Sequence, residues 1–202
     1  MKATKILERT VESETYALTN LTNYVKNNED DYENVINILL NAKGRVIFMG
    51  VGKSGHVGQK LAATFASTGT PSFFVHATEA MHGDLGMITK SDLVIDISNS
   101  GETKEALAPL EAIHKIGASV IALTGNKNSS LAKQSDYLLL VHIDKEADRF
   151  NLAPTTSSTA VLAFGDGLAL AISELKGFTE DNFGLYHPGG ALGARLFSKE
   201  EG

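Results

Sequence analysis

The chain has no cysteine, which excludes a disulfide framework, a thiolate zinc site and a thiol nucleophile. That composition fits a reducing compartment. Basic residues are not in excess either: 18 Lys and Arg stand against 24 Asp and Glu, for a formal net charge of −6, whereas a nucleic-acid surface needs clustered positive charge. The expected ligand is therefore small. The N-terminal segment lacks the apolar core of a signal peptide, because Lys5, Glu8, Arg9, Glu12 and Glu14 interrupt its apolar positions. No later run approaches the length of a membrane span. A soluble, cytoplasmic protein without a membrane partner is expected. Internal repeats, low-complexity tracts and linkers are also missing, and 202 residues fit a single domain, with N-terminal helices over about 3–42 and an α/β core over about 43–197.

What is present is an alternation of strand and helix signals. Ile6, Leu7, Val11, Leu18, Leu21 and Val25 recur at roughly helical spacing, and Val35, Ile36, Leu39 and Leu40 mark a second helix. The first of these helices can pack on its own sheet or on another subunit. Strands are predicted at Val46–Met49, Ser72–His76, Leu93–Ile97, Val120–Leu123 and Tyr137–Val141, all short apolar or β-branched runs suited to burial on both faces. Helices fill the intervals, with a stop at Gly69-Thr70-Pro71 and a late start or kink at Pro109. A long helix is predicted from about Ser158 to Lys176, closed by Gly177. This order implies a parallel sheet with right-handed crossovers.

The turn after the first strand, Gly50-Val51-Gly52-Lys53-Ser54-Gly55, is suited to an anion. Glycine lets backbone N–H groups face the ligand at a helix N-terminus, and Lys53 and Ser54 add a charge and a hydroxyl. Its spacing matches the dinucleotide fingerprint, but the second strand ends at His76 where an acidic residue should hold a ribose. A Walker loop fails too, because Ile47 occupies the position of its first glycine. Taken alone, the turn can be an ordinary strand-to-helix connection. After the third strand comes Ser98-Asn99-Ser100-Gly101-Glu102-Thr103, whose hydroxyls and amide also suit an anion, although Ser and Thr before a helix serve most often as caps. Two such turns at strand carboxyl ends mark the crevice where doubly wound sheets bind ligands.

These two turns, with Glu79-Ala80-Met81-His82-Gly83-Asp84-Leu85-Gly86, Leu152-Ala153-Pro154-Thr155 and His187-Pro188-Gly189-Gly190, resemble the sugar isomerase (SIS) domain family, in particular its arabinose 5-phosphate isomerases. The resemblance runs from about Lys43 to Leu196. It implies a three-layer, flavodoxin-like sandwich around a five-stranded parallel sheet. It further implies a homo-oligomer, with a tetramer favoured, and cofactor-free aldose–ketose interconversion of D-arabinose 5-phosphate and D-ribulose 5-phosphate through an enediol. Other sugar phosphates, or a non-catalytic sugar-phosphate-binding role, are the alternatives. A sensor would need an output, and the chain has no DNA-binding segment. Longer isomerases of this type carry a pair of CBS domains after the sugar-binding domain. This sequence stops just beyond Leu196, so feedback through such domains is not expected.

By the same resemblance, phosphate binding falls on Ser54, Ser98, Asn99, Ser100 and Thr103, and catalysis on Lys53, His82, Glu102, Glu146 and His187. Glu146 is the expected base for the carbon-bound proton. His187 is the candidate for ring opening or for moving protons between oxygens, with His82 as its alternative. Lys53 is suited to orienting the phosphate or to stabilising enediolate charge. Each has a plainer reading: Glu146 sits in a charged loop cluster that would ordinarily be solvated, His187 can be a turn residue, and His82 can satisfy a carbonyl. No metal site is expected, since His76, His82 and His187 lack ligand spacing, although imidazoles brought together can attract zinc incidentally. Asp148-Arg149-Phe150-Asn151 departs from the family pattern beside the expected base, leaving substrate length and stereochemistry open.

Overall fold

A computed structural model describes residues 2–189. The C-terminal end of the expected core, including Gly190 and Leu196, lies outside the described residues. Two helices, α1 (Ala3–Asn27) and α2 (Glu29–Leu40), lead into β1 (Val46–Gly50) and α3 (Gly52–Ser67). The chain continues through β2 (Ser72–His76), α4 (Ala77–Ala80), a 3-10 turn (Asp84–Met87), β3 (Leu93–Ile97), α5 (Lys104–Leu107) and α6 (Leu110–Ile116). It ends in β4 (Ser119–Thr124), α7 (Ser130–Gln134), β5 (Tyr137–Leu140), α8 (Thr156–Leu175) and α9 (Glu180–Tyr186). The expected break at Pro109 separates α5 from α6, where proline cannot supply the backbone donor that a continuous helix requires.

All strand pairs are parallel, in the order β2-β1-β3-β4-β5. The chain reverses direction across the sheet between β1 and β3, which makes the carboxyl ends of these two neighbours the topological switch point. Both anion-suited turns follow those two strands. The alternation of side chains along a strand divides the core in two. Phe48, Ile95, Ile97, Ile121 and Leu123 face one cluster with Leu21 and Leu39 from the first two helices, Leu61 and Phe65 of α3, and Leu168 and Ile172 of α8. Ile47, Met49, Val94, Val120 and Ala122 face the other, beneath Ala77, Leu110, Ile113 and Leu131. The sandwich is thus three layers deep, as expected. Burying one such Leu, Ile or Phe contributes roughly 1.5–3 kcal/mol.

Contrary to the expectation that no run approaches a membrane span, α8 is long and apolar enough to cross one by length and composition alone. It packs, however, against α1, α2 and α3, which accounts for its apolar composition. It approaches α3 so closely that a Cβ on Gly165 would lie 2.5 Å from both Leu61 methyl carbons. A side chain there would force Leu61 of α3 to move or α8 to draw back from α3. At the amino end of the sheet, Asp92 accepts from the Arg45 backbone N–H (2.7 Å), the Arg45 guanidinium (2.8 Å) and the Thr89 N–H (2.7 Å). Burial pushes this carboxyl up, but the hydrogen bonds outweigh it and hold it down at about 2. The clamp ties the start of β1 to the start of β3.

Asp96 interrupts the second apolar cluster. It is fully buried in the middle of the sheet, between Met49 of β1 and Ala122 of β4, and neither carboxyl oxygen has a hydrogen-bond partner among the described residues. Burial raises its pKa well above 3.8, so the group is protonated in the fold while the unfolded chain ionises. The unfolded state then binds fewer protons at this group than the native state, so Asp96's own contribution to stability falls as pH rises above about 4. Asp96→Val is expected to stabilise the protein, with a gap over wild type that widens by about 1.4 kcal/mol per pH unit until Asp96 ionises in the fold. Urea unfolding at several pH values measures this, and a gap that does not change with pH would contradict it.

Candidate active site

A cleft of 450 Å³ opens at the switch point, within the roughly 300–1,000 Å³ usual for small-molecule sites. Lys53 and Ser54, in the first turn of α3, line it together with Ser98, Asn99, Ser100 and Thr103 from the turn after β3. The remaining wall comes from the segment after β5, including Lys145, Glu146, Asn151 and Leu152, and from Ser157, Ser158 and Val161 of α8.

The turn after β3 is held by its own polar atoms. The Ser98 hydroxyl donates to Thr103 Oγ1 and accepts from the Gly101 N–H, both at 3.2 Å, and Ser100 Oγ accepts from the Glu102 N–H at 3.2 Å. Gly101 has φ 67°, and a Cβ there would lie 2.2 Å from Ser129 Oγ. Only glycine fits both restraints. Ser98 is therefore a staple of the turn as well as a wall of the cleft, and it is buried.

Glu146 is also buried, at 9 % exposure. Its Oε2 accepts from the backbone N–H groups of Thr155 (2.9 Å) and Ser157 (3.2 Å), and the Thr155 hydroxyl lies 3.2 Å away. Oε1 accepts from the Ser157 hydroxyl. The carboxylate caps the first turn of α8, where free N–H groups and the helix dipole favour an anion. Thr155, the residue preceding α8, makes no side-chain cap of its own. With Glu146 in that role, the helix begins at Thr156, two residues before the sequence-based start. Asn151 supports the same loop: it adopts φ 57°, which Asn tolerates better than most residues, and its Oδ1 accepts from the Glu146 N–H at 2.7 Å. Thr155 and Ser157 were missed as carboxylate-holding residues, and Asn151 as the residue that holds the Glu146 backbone, by sequence reasoning. The hydroxyl run Thr155-Thr156-Ser157-Ser158 was the available signal, but it reads as a self-capping helix start.

Seven of the ten candidate residues thus share one cleft: Lys53, Ser54, Ser98, Asn99, Ser100, Thr103 and Glu146. Three do not line it. The Glu102 carboxylate turns toward α7 and accepts from the Ser130 N–H at 2.8 Å, and that bond holds it below the usual carboxylate range. His82 follows α4 on the loop after β2, with its backbone N–H bonded to the Glu79 carbonyl. His187 follows α9 and stacks on Phe183 with ring centroids 3.9 Å apart. The neighbouring Tyr186 lines a groove with Arg45, Pro71 and Ser72, at the amino ends of β1 and β2. A five-residue strand spans about 16 Å, so Tyr186, the residue before His187, lies at the end of the sheet away from the cleft of its own chain. No group of three or more His, Asp or Glu among the described residues could hold a metal ion.

A doubly wound parallel sheet whose switch point carries a hydroxyl-rich cleft, a lysine and a fixed carboxylate defines an α/β domain suited to a small phosphorylated ligand. The SIS domain family matches residues 38–171, and the chain belongs to that family. It is 54% identical over 172 residues to the arabinose 5-phosphate isomerase KdsD of Pseudomonas aeruginosa, covering 85% of this chain and 53% of that protein. It is 49% identical over 193 residues to the arabinose 5-phosphate isomerase KpsF of Escherichia coli, covering 96% of this chain and 58% of that protein. The chain thus spans a little over half the length of these curated relatives. Among solved structures it superposes on an Escherichia coli CFT073 protein in complex with arabinose 5-phosphate. That match has a TM-score of 0.88 and 49% identity, covering 93% of this chain and 100% of that one.

Proposed function

We propose that the protein is an aldose–ketose isomerase interconverting D-arabinose 5-phosphate and D-ribulose 5-phosphate. The observation that carries this reading is the convergence of a phosphate-suited pair of turns and a fixed carboxylate, Glu146, on one cleft at the switch point. The phosphate binds against Ser54, Ser98, Asn99, Ser100 and Thr103, and Lys53 offsets its charge. This anchors one end of an open-chain sugar and leaves the carbonyl end toward Glu146 and α8.

Starting from the open-chain aldose, Glu146 removes the proton from C2, the C2–H electron pair becomes the C1–C2 double bond, and the carbonyl pair moves to O1, which takes up a proton from a second acid–base group. An enediol results. Glu146 then returns the proton to C1 while O2 gives up its proton to the same second group and becomes the ketone. Each carboxylate oxygen has about two lone-pair sites; on Oε2 both are taken by backbone N–H groups, whereas on Oε1 one is taken by Ser157. Oε1 is therefore the atom that exchanges the proton.

Ring opening and proton transfer between oxygens need a further acid–base group, which we assign to His187 from a second subunit, with His82 as the alternative. Nδ1 of His187 lies 2.8 Å from the Phe183 carbonyl. A carbonyl only accepts, so the proton sits on Nδ1 and Nε2 is the acceptor of the neutral ring. We accordingly read the chain as the subunit of a homo-oligomer, a tetramer favoured. The exposed Ile6, Leu7 and Val11 of α1 supply apolar surface for association. A cytoplasmic location accords with the phosphorylated substrate and with α8 being packed among α1, α2 and α3.

An NMR-monitored turnover screen over pentose and hexose phosphates, without added metal, tests the reading. Rapid interconversion of the arabinose–ribulose pair is expected, and turnover confined to a hexose phosphate would replace it with another isomerase. Free arabinose is expected to be a very poor substrate, and Ser100→Ala to raise KM about 10- to 100-fold, since each hydrogen bond to a charged group contributes roughly 1.5–3 kcal/mol. Initial rates check both outcomes. Equal activity on arabinose and its 5-phosphate would contradict the phosphate assignment.

A further inference from the structure

We propose that Ser157 is a positioning residue for the reaction, acting through Glu146; the inference rests on Glu146 being the base. Ser157 is buried yet lines the cleft beside Glu146, and its two contacts with that carboxylate are of different kinds. Its backbone N–H donates to Oε2 at 3.2 Å, as part of the α8 cap, whereas its hydroxyl donates to Oε1. The cap alone fixes Oε2. A carboxylate anchored at one oxygen can still swing its other oxygen about that anchor. The Ser157 hydroxyl stops that swing and leaves the second Oε1 lone pair directed away from α8 into the cleft. The backbone contacts hold the helix, and the hydroxyl aims the base.

This division separates catalysis from folding. Ser157→Ala keeps the N–H that caps α8 and removes only the Oε1 contact, so the protein should fold and bind substrate. Misplacement of a reacting group by about 1 Å costs up to 10²-fold. The expected result is a kcat lowered about 10- to 100-fold with KM changed less than about threefold. Ser157→Thr retains the hydroxyl and should recover most of the loss. In a Glu146→Gln background no base remains to be aimed, so adding Ser157→Ala should cause no further fall.

The experiment measures kcat, KM, substrate proton exchange in D2O and thermal unfolding for Ser157→Ala, Ser157→Thr, Glu146→Gln and the Glu146→Gln/Ser157→Ala double variant. Arabinose 5-phosphate is the substrate. A kcat loss in Ser157→Ala that is rescued by Thr and absent from the double variant supports the inference. Unchanged kcat in Ser157→Ala, a rise in KM alone, failure of Thr to rescue, or a further fall from the residual rate of Glu146→Gln in the double variant overturns it while Glu146→Gln keeps its large loss. If Glu146→Gln itself keeps normal exchange, the base assignment falls first and the role of Ser157 falls with it. Should Ser157→Ala unfold, the comparison of Ser157→Thr with Ser157→Cys decides: a Cys variant as active as Thr, despite its weaker donor, overturns the role of the hydroxyl.

Discussion

Replacing Glu146 with Gln is expected to lower isomerisation and substrate proton exchange by about 10²–10⁴-fold, the usual loss when a positioned acid–base group is removed. Sugar-phosphate binding should survive, because the phosphate turns follow β1 and β3 and Glu146 follows β5. The fold should survive as well. In the variant the amide oxygen can take the place of Oε2 and accept from the Thr155 and Ser157 N–H groups. The amide nitrogen then faces Ser157 Oγ, which can reverse its role and accept. The side chain keeps its shape and its cap but has lost the basic oxygen. Isothermal titration with ribulose 5-phosphate and deuterium incorporation at the sugar carbon separate binding from chemistry. Near-normal deuterium incorporation would remove Glu146 from the mechanism.

Glu146 also shows where sequence reasoning reaches its limit. The central strands were legible because β1 and β3 are five-residue runs buried on both faces, and each is followed by turn residues. The two anion-suited turns were legible because the chemistry of Gly50 to Gly55 and of Ser98 to Thr103 is local. Their meeting at one cleft follows from the strand order β2-β1-β3-β4-β5, which the alternation of strands and helices alone does not dictate. The cap that Glu146 makes is not local. It joins residues 11 apart across an irregular loop, and only the folded loop reveals it.

Glu102 illustrates the converse. Its place in the Ser-rich turn puts its backbone beside the cleft, but the Ser130 N–H draws its carboxylate to α7, 28 residues further along the chain. Asp96 reads as one polar letter in an apolar strand, and nothing in the neighbouring residues announces that its carboxyl finds no hydrogen-bond partner among the described residues. Helix α9 has a visible start in Thr179 and Asn182, which bond reciprocally as a capping box. Where that helix lies, and hence where it carries His187, depends on its docking near the amino ends of β1 and β2.

That placement underlies the second large expected effect. Within one subunit the residue before His187 lies at the amino ends of β1 and β2 while Glu146 lines the cleft at the carboxyl ends, so a site that uses both is expected to need two subunits. Glu146→Gln and His187→Ala oligomers should each be inactive alone. Once subunits exchange, however, a pair formed from one of each has one site with both lesions and one with neither, because a symmetric interface repeats every contact twice. Random pairing makes half of the pairs mixed, with one intact site in each. About one quarter of wild-type activity should therefore return. Had the two residues served one site within a single subunit, every subunit in the mixture would carry a lesion and nothing could recover. The measurement is the isomerase rate before and after exchange, with exchange itself followed by native mass spectrometry of subunits of different isotopic mass. Persistent inactivity after complete exchange would return the search for the second acid–base group to residues of the same subunit, beginning with His82 on the loop after β2. Activity in a dilute monomer would show that no neighbour is needed.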